Sequence, residues 1–187
     1  DMYSRRSFLA AGVTTGAAAL IVRKVRADEV PPIIRPKRGD LIPQKSSDGV
    51  TLVVTPNGAT MPFRVADGVK EFHIVAEPVE REFADGMTVK CWGYNGQTPG
   101  PTIEVTQGDR VRLYVTNHLP EHTSIHWHGL FIPCGMDGVA GLTQPGIQPG
   151  ETWVYEFTNP DQHGTIMYHT HADEMMQMAF GMMGFFI

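Results

Sequence analysis

The sequence predicts an all-β globule of the sandwich or barrel kind, and three observations carry that reading. Glycine and proline supply 20 and 14 of the 187 residues, above their ordinary combined share of ~12%. Short apolar runs recur between turn signals, a spacing typical of sandwiches and barrels. Over Arg110-Val111-Arg112-Leu113-Tyr114-Val115 the apolar/polar alternation is strict, giving a strand with one buried face and one wet face. The runs lie at 50–55 (closed by Pro56-Asn57-Gly58), 72–76, 88–93 (followed by Tyr94-Asn95-Gly96), 102–105 (before Gln107-Gly108-Asp109), 111–117, 152–158 and 165–169. Residues 172–183 suit a short helix near the C-terminus, with Met176, Ala179, Phe180 and Met183 at i, i+3, i+4 and i+7. Residues 28–48 show neither strand nor helix period and read as a linker or extended arm, so the globular domain is expected over 49–187. No internal repeat is visible.

Apolar residues at 42% suffice for a core, while charged residues at 19% without single-sign blocks fit neither a coiled coil nor a disordered chain. The formal charge of −5 becomes −9 beyond residue 27, because residues 1–27 hold five of the fifteen basic groups and one of the twenty acids. An acidic globule repels phosphate, so nucleic acid is not an expected partner. Ser4-Arg5-Arg6-Ser7-Phe8-Leu9 puts an arginine pair ahead of a mild apolar stretch over 8–22, with Val25-Arg26-Ala27 as an imperfect cleavage site. Residues 1–27 therefore resemble a twin-arginine export signal, and the expected destination is the periplasm or another exported compartment. A stretch of 15 residues broken by Gly12 and Gly16 is short of the ~20 a spanning helix needs, so no stable membrane span is expected.

Four of the eight histidines sit in two His-X-His triplets, His126-Trp127-His128 and His169-Thr170-His171, each among strand formers. Alternate side chains of a strand leave the same face, so each triplet aims two imidazoles one way and turns Trp127 or Thr170 the other. Two such strands side by side gather four neutral imidazoles. That donor set suits copper, zinc, iron or nickel. Spacing alone leaves a three-ligand zinc site open.

Around the triplets stand Tyr94-Asn95-Gly96-Gln97-Thr98-Pro99-Gly100-Pro101-Thr102-Ile103, Met136-Asp137-Gly138-Val139, Gln144-Pro145, Pro149-Gly150-Glu151 and Gly164-Thr165. In that order, with Thr123-Ser124-Ile125 before the first triplet, they resemble the first cupredoxin (plastocyanin-like) domain of a multicopper oxidase, strongly over residues 85–187. The resemblance implies a Greek-key cupredoxin sandwich and a trinuclear copper cluster shared between domains. It implies His126 as a ligand of the mononuclear type 2 copper, His128 and His169 as ligands of one type 3 copper, and His171 of the other. It further implies that dioxygen is reduced to water at the expense of a one-electron donor such as cuprous ion or a phenol, and that Asp137 relays protons near the type 2 copper. By turn preference alone Asp137 reads equally well as a turn residue before Gly138. The four remaining ligands and the type 1 copper are expected in other cupredoxin domains, of the same chain or another subunit. Neither Cys91 nor Cys134 has a neighbouring histidine, so no type 1 site is expected here. Both ends read as cut, and the fragment alone is expected to be inactive.

Two other readings stand beside the oxidase. A copper nitrite reductase is disfavoured because Thr170 occupies the place where that family has cysteine. A non-catalytic exported copper-binding or scaffold cupredoxin is disfavoured in its ligand-free form by the four triplet histidines. Met175, Met176, Met178, Met182 and Met183 could hold cuprous ion through thioethers, but core packing is the preferred reading. His73, His118, His122 and His163 read as structural or solvent-facing, and the two cysteines as free thiols.

Overall fold

The computed structural model describes residues 25, 28–36, 45, 49–55 and 58–187. Apart from Val25, the twin-arginine segment over 1–27 lies outside the described residues. The strands are β1 (Arg64–Ala66), β2 (Val69–Ala84), β3 (Met87–Tyr94), β4 (Arg110–Asn117), β5 (His126–His128), β6 (Thr152–Thr158), β7 (Ile166–His169) and β8 (Met183–Phe186). Among the described residues, one helical turn, α1 (Glu174–Gln177), and a 3-10 turn (Cys134–Met136) complete the elements. The all-β expectation therefore holds.

The larger sheet is organised around the 16-residue β2. Asp67 and Gly68, both at positive φ, form the two-residue turn that brings β1 back onto the start of β2, a conformation suited to Asp-Gly. The first half of β2 runs parallel to β4, from Val69 opposite Arg110 to Ala76 opposite Asn117, while its second half pairs antiparallel with β3. β6 flanks β4 antiparallel. The smaller sheet has the order β5-β7-β8. Residues 100–105 run beside β8, tied by Gly100 N–H to Met183 O, Ile103 N–H to Phe185 O and Val105 N–H to Ile187 O.

The inner faces of the two sheets meet in one apolar core. The larger sheet contributes Phe72, Ile74, Val111, Leu113, Val115, Tyr155 and Phe157, and the smaller sheet Trp127, Tyr168 and Phe186 with Ile103 and Ile125 beside them. Trp127 is fully buried, its ring 5.3 Å from Tyr155, 5.9 Å from Phe157, 6.2 Å from Tyr168 and 6.0 Å from Phe186. Tyr168 lies between Gly100 and Gly184, where a methyl group at either position would overlap its ring or hydroxyl. Its hydroxyl donates to Pro101 O at 2.7 Å.

Several sequence expectations need correction. Residues 50–55 form no strand; Val53 N–H donates to the Glu104 carboxylate and the Thr55 hydroxyl meets that of Thr102 at 3.0 Å. The helix over 172–183 shrinks to α1, because Gly181 takes φ +105 and the chain then enters β8. The methionine packing face disappears with it: Met175 and Met176 are exposed, and α1 buries Gln177 instead. Met182, beyond the turn, does join the core. Cys91, buried, and Cys134, exposed, are both free thiols.

The face of β4 expected to be wet is half covered. Arg112 pairs with Glu71 at 2.6 Å and with Glu156 at 2.7 Å, and Tyr114 and Thr116 are buried. Part of the cover is the arm over 31–36, whose carbonyls accept from three side chains: Pro31 O from His73 Nδ1 at 2.6 Å, Ile34 O from Asn95 Nδ2 at 3.2 Å and Pro36 O from Gln97 Nε2 at 2.9 Å. Arg35 also pairs with Glu77. A carbonyl can only accept, so His73 carries its proton on Nδ1 and receives the Thr116 hydroxyl on Nε2 at 2.8 Å.

Burial holds the His73 pKa below the ordinary imidazole value of 6.5, aided by His118 and opposed by the bond to Pro31. The unfolded chain therefore takes up the proton first, and stability is lost as pH falls below 6.5 towards the folded-state value. Denaturation midpoints measured between about pH 7.5 and 5.5 should decline for the wild type and decline less steeply for His73→Gln. Equal slopes would contradict the assignment.

Candidate metal centre

β5 and β7 pair antiparallel with His126 opposite His169, Trp127 opposite Tyr168 and His128 opposite Met167. Directly opposed residues share a face. Trp127 and Tyr168 thus enter the core together, and His126, His128 and His169 leave the sheet on its other side. His171 lies two residues beyond the end of the β7 ladder, where Ala140 N–H donates to its carbonyl at 3.2 Å.

All four triplet histidines meet there. The His126 ring centroid is 5.6 Å from His128, 5.4 Å from His169 and 5.3 Å from His171, and His169 is 5.3 Å from His128 and 6.1 Å from His171. One nitrogen each from His126, His128 and His169 lies within 4.8 Å of the others. The fourth ring is engaged elsewhere: His171 Nε2 sits 3.0 Å from the Glu174 carboxylate. The sequence reading missed Glu174, although its i,i+3 spacing from His171 carries the signal.

Hydrogen bonds to backbone oxygens settle two tautomers. His126 Nδ1 donates to Asp137 O and His169 Nδ1 to Thr170 O, both at 2.7 Å, leaving each Nε2 unprotonated with its lone pair outward. His128 Nδ1 then donates to His169 Nε2 at 3.1 Å. A metal ion competing for that lone pair would replace this bond. Burial, with His126 and His128 nearby, holds the His169 pKa below its ordinary value and so favours the neutral, ligating form. Neutral imidazole nitrogens converging on one space fit a borderline cation such as copper.

Asp137 approaches His126 mainly through its backbone. Its carbonyl makes the 2.7 Å bond, while its half-exposed carboxylate lies 3.4 Å from the same Nδ1. The loop comes this close because Gly138, at φ +81, packs on the backbone entering β5, where a Cβ would overlap the Ile125 carbonyl oxygen. Of the other histidines, His73 is buried under the arm and His118, His122 and His163 are exposed.

Comparison with known proteins agrees with this geometry. The multicopper oxidase family model matches residues 75–187. The chain is 50% identical over 78 residues to copper resistance protein A of Escherichia coli, covering 42% of this chain and 13% of that protein. It is 39% identical over 118 residues to laccase-1 of Cryptococcus neoformans var. grubii, covering 57% of this chain and 19% of that protein. The crystal structure of a multicopper oxidase from Pseudomonas thermotolerans superposes with a TM-score of 0.61 at 37% identity, covering 64% of this chain and 29% of that one. An all-β cupredoxin fold and a converging histidine set define a copper-binding domain. The chain belongs to the multicopper oxidase family. It spans less than a fifth of the length of these two curated relatives.

Gly138→Ala should cost on the order of 1–3 kcal/mol, since it combines strain at positive φ with a clash against β5. Chemical denaturation reads the loss, and ring-nitrogen NMR should show the His126 Nδ1–H bond broken. An unperturbed His126 signal would count against the close approach.

Proposed function

We propose that this chain is the N-terminal copper-binding cupredoxin domain of a multicopper oxidase, supplying half the ligands of a trinuclear cluster. The supporting observation is the β5–β7 register, which sets His126 opposite His169 and puts three imidazoles on one face, with the His171 ring 5.3 Å from that of His126. In this reading His126 serves the type 2 copper, His128 and His169 one type 3 copper, and His171 the other. Copper bound there supplies one-electron redox chemistry, by which a complete cluster reduces dioxygen with four electrons and four protons to two waters while a donor such as cuprous ion or a phenol is oxidised.

The chain's own residues prepare the site. Asp137 O holds the His126 ring by Nδ1, and Thr170 O holds that of His169, so the lone pairs are aimed before metal arrives. The Asp137 carboxylate, half-exposed beside His126 Nδ1, can pick up a proton from water and pass it inward. Glu174 holds His171 at the rim. The remaining ligands come from other cupredoxin domains, of the same polypeptide or a partner subunit.

Copper(II) titration followed by metal analysis and EPR tests this reading. The wild-type chain should take up copper, and His126→Ala combined with His169→Ala should weaken uptake by at least ~10-fold. No steady oxygen consumption is expected from the chain alone. Failure to bind copper, or a preference for zinc with no copper signal, would sink the proposal.

Export by the twin-arginine route is the second part of the reading, supported by Arg5-Arg6 ahead of the apolar stretch over 8–22. Among the described residues no helix is long and apolar enough to cross a membrane, which leaves β-barrel spans unaddressed. Replacing both arginines by lysine should keep the protein in the cytoplasm in a fractionation assay; undiminished export would refute that route.

A further inference from the structure

Behind the metal-facing surface, one buried amide ties the two histidine segments together. Gln177 is fully excluded from solvent and is the only buried residue of α1. Its Nε2 donates to the Glu121 carboxylate at 2.7 Å and to His122 O at 2.9 Å, two groups that can only accept, which fixes the amide orientation. Its Oε1 therefore accepts, from the Thr170 hydroxyl at 2.6 Å and the Thr123 hydroxyl at 2.8 Å. These four bonds use the full capacity of a primary amide.

The two hydroxyls come from the two segments that carry the imidazoles. Thr170 separates His169 from His171 and is fully buried with its hydroxyl on the Gln177 amide, while Thr123 stands three residues before His126. The hydroxyls lie 3.3 Å apart. His169 is the last ladder residue of β7, so strand pairing does not hold Thr170 and His171. Thr170 N–H makes a 3.3 Å bond to Met182 O, and Met182 N–H returns to Gln177 O at 3.1 Å, so even this backbone link leads to Gln177. Apolar packing at Trp127 and Tyr168 sets how far apart the strands lie, but it is not directional. Hydrogen bonds are directional, and metal ligands must be placed within about 0.5 Å.

We infer that Gln177 is a positioning residue for the metal centre. Through Thr170 it sets the direction in which the chain leaves His169 and His171 projects, and through Thr123 it ties that direction to the segment bearing His126 and His128. The inference rests on the reading of these histidines as copper ligands.

Thr170→Val keeps the side-chain shape and removes the hydroxyl, Thr170→Ser keeps the hydroxyl, and Gln177→Met removes the amide. Each is made in the full chain and compared with wild type by histidine ring-nitrogen NMR without metal, then by copper(II) titration and EPR with copper(II) alone. Thr170→Val and Gln177→Met should shift the His169 and His171 ring signals, change the copper(II) hyperfine pattern and weaken copper(II) binding about 10-fold, and Thr170→Ser should match wild type. If Gln177→Met does not fold, the Thr170 pair decides alone, since valine keeps the threonine shape without the hydroxyl and serine keeps the hydroxyl without the methyl group. Lower thermal midpoints with unchanged ring signals and an unchanged copper(II) spectrum would show a merely structural role and overturn the inference. Absence of copper(II) binding by the wild type would overturn the copper reading and this inference with it; the metal-free ring signals separate the two failures.

Discussion

Everything at the candidate centre depends on the register of β5 against β7. With His126 opposite His169, three imidazoles share one face and Trp127 and Tyr168 share the other. A slip of one residue would turn the indole out to solvent and drive imidazoles into the core. The register is held from the apolar side, where Trp127 contacts aromatic rings from β6, β7 and β8. Core packing thus dictates the placement of polar donors it never touches. Burial of an indole and a phenol ring is worth several kcal/mol, far more than any single imidazole contact, so the metal face inherits its order from the hydrophobic one.

The polar groups then refine what packing leaves loose. Backbone oxygens of Asp137 and Thr170 take the Nδ1 protons of His126 and His169 and choose their tautomers. Gathering imidazoles is tolerable only while they remain neutral, and burial enforces this at His169. Family membership supplies copper as the fitting cation, and the neutral nitrogens of His126, His128 and His169, all within 4.8 Å of one another, are the donors that would receive it.

Much of this was legible in the sequence because period-two patterns translate directly into faces. The triplets, the strands at 111–117 and 152–158 and the turn residues all carry that signal. The short helix expected within 172–183 is present but covers only Glu174–Gln177, since apolar spacing alone cannot reveal that Gly181 adopts φ +105 just before the chain enters β8. Asp137 was marked for its carboxylate, yet its carbonyl makes the shorter bond, and backbone carbonyls leave no trace in residue type. Gln177 stayed hidden because a glutamine on a presumed amphipathic helix reads as surface, and only three-dimensional proximity to Thr123 and Thr170 reveals its burial. The cover over β4 was equally invisible, since a proline-rich arm has no periodicity to show where it lies.

The slot that holds Tyr168 has a quieter implication. Its walls are Gly100 and Gly184, residues that carry no donor of their own, yet a single added carbon at either would overlap the phenol ring or hydroxyl of Tyr168, the chain neighbour of His169. Two hydrogen atoms therefore act as a spacer gauge for the donor cage. Sequence drift at these chemically silent sites would disturb the imidazole cluster without altering one histidine.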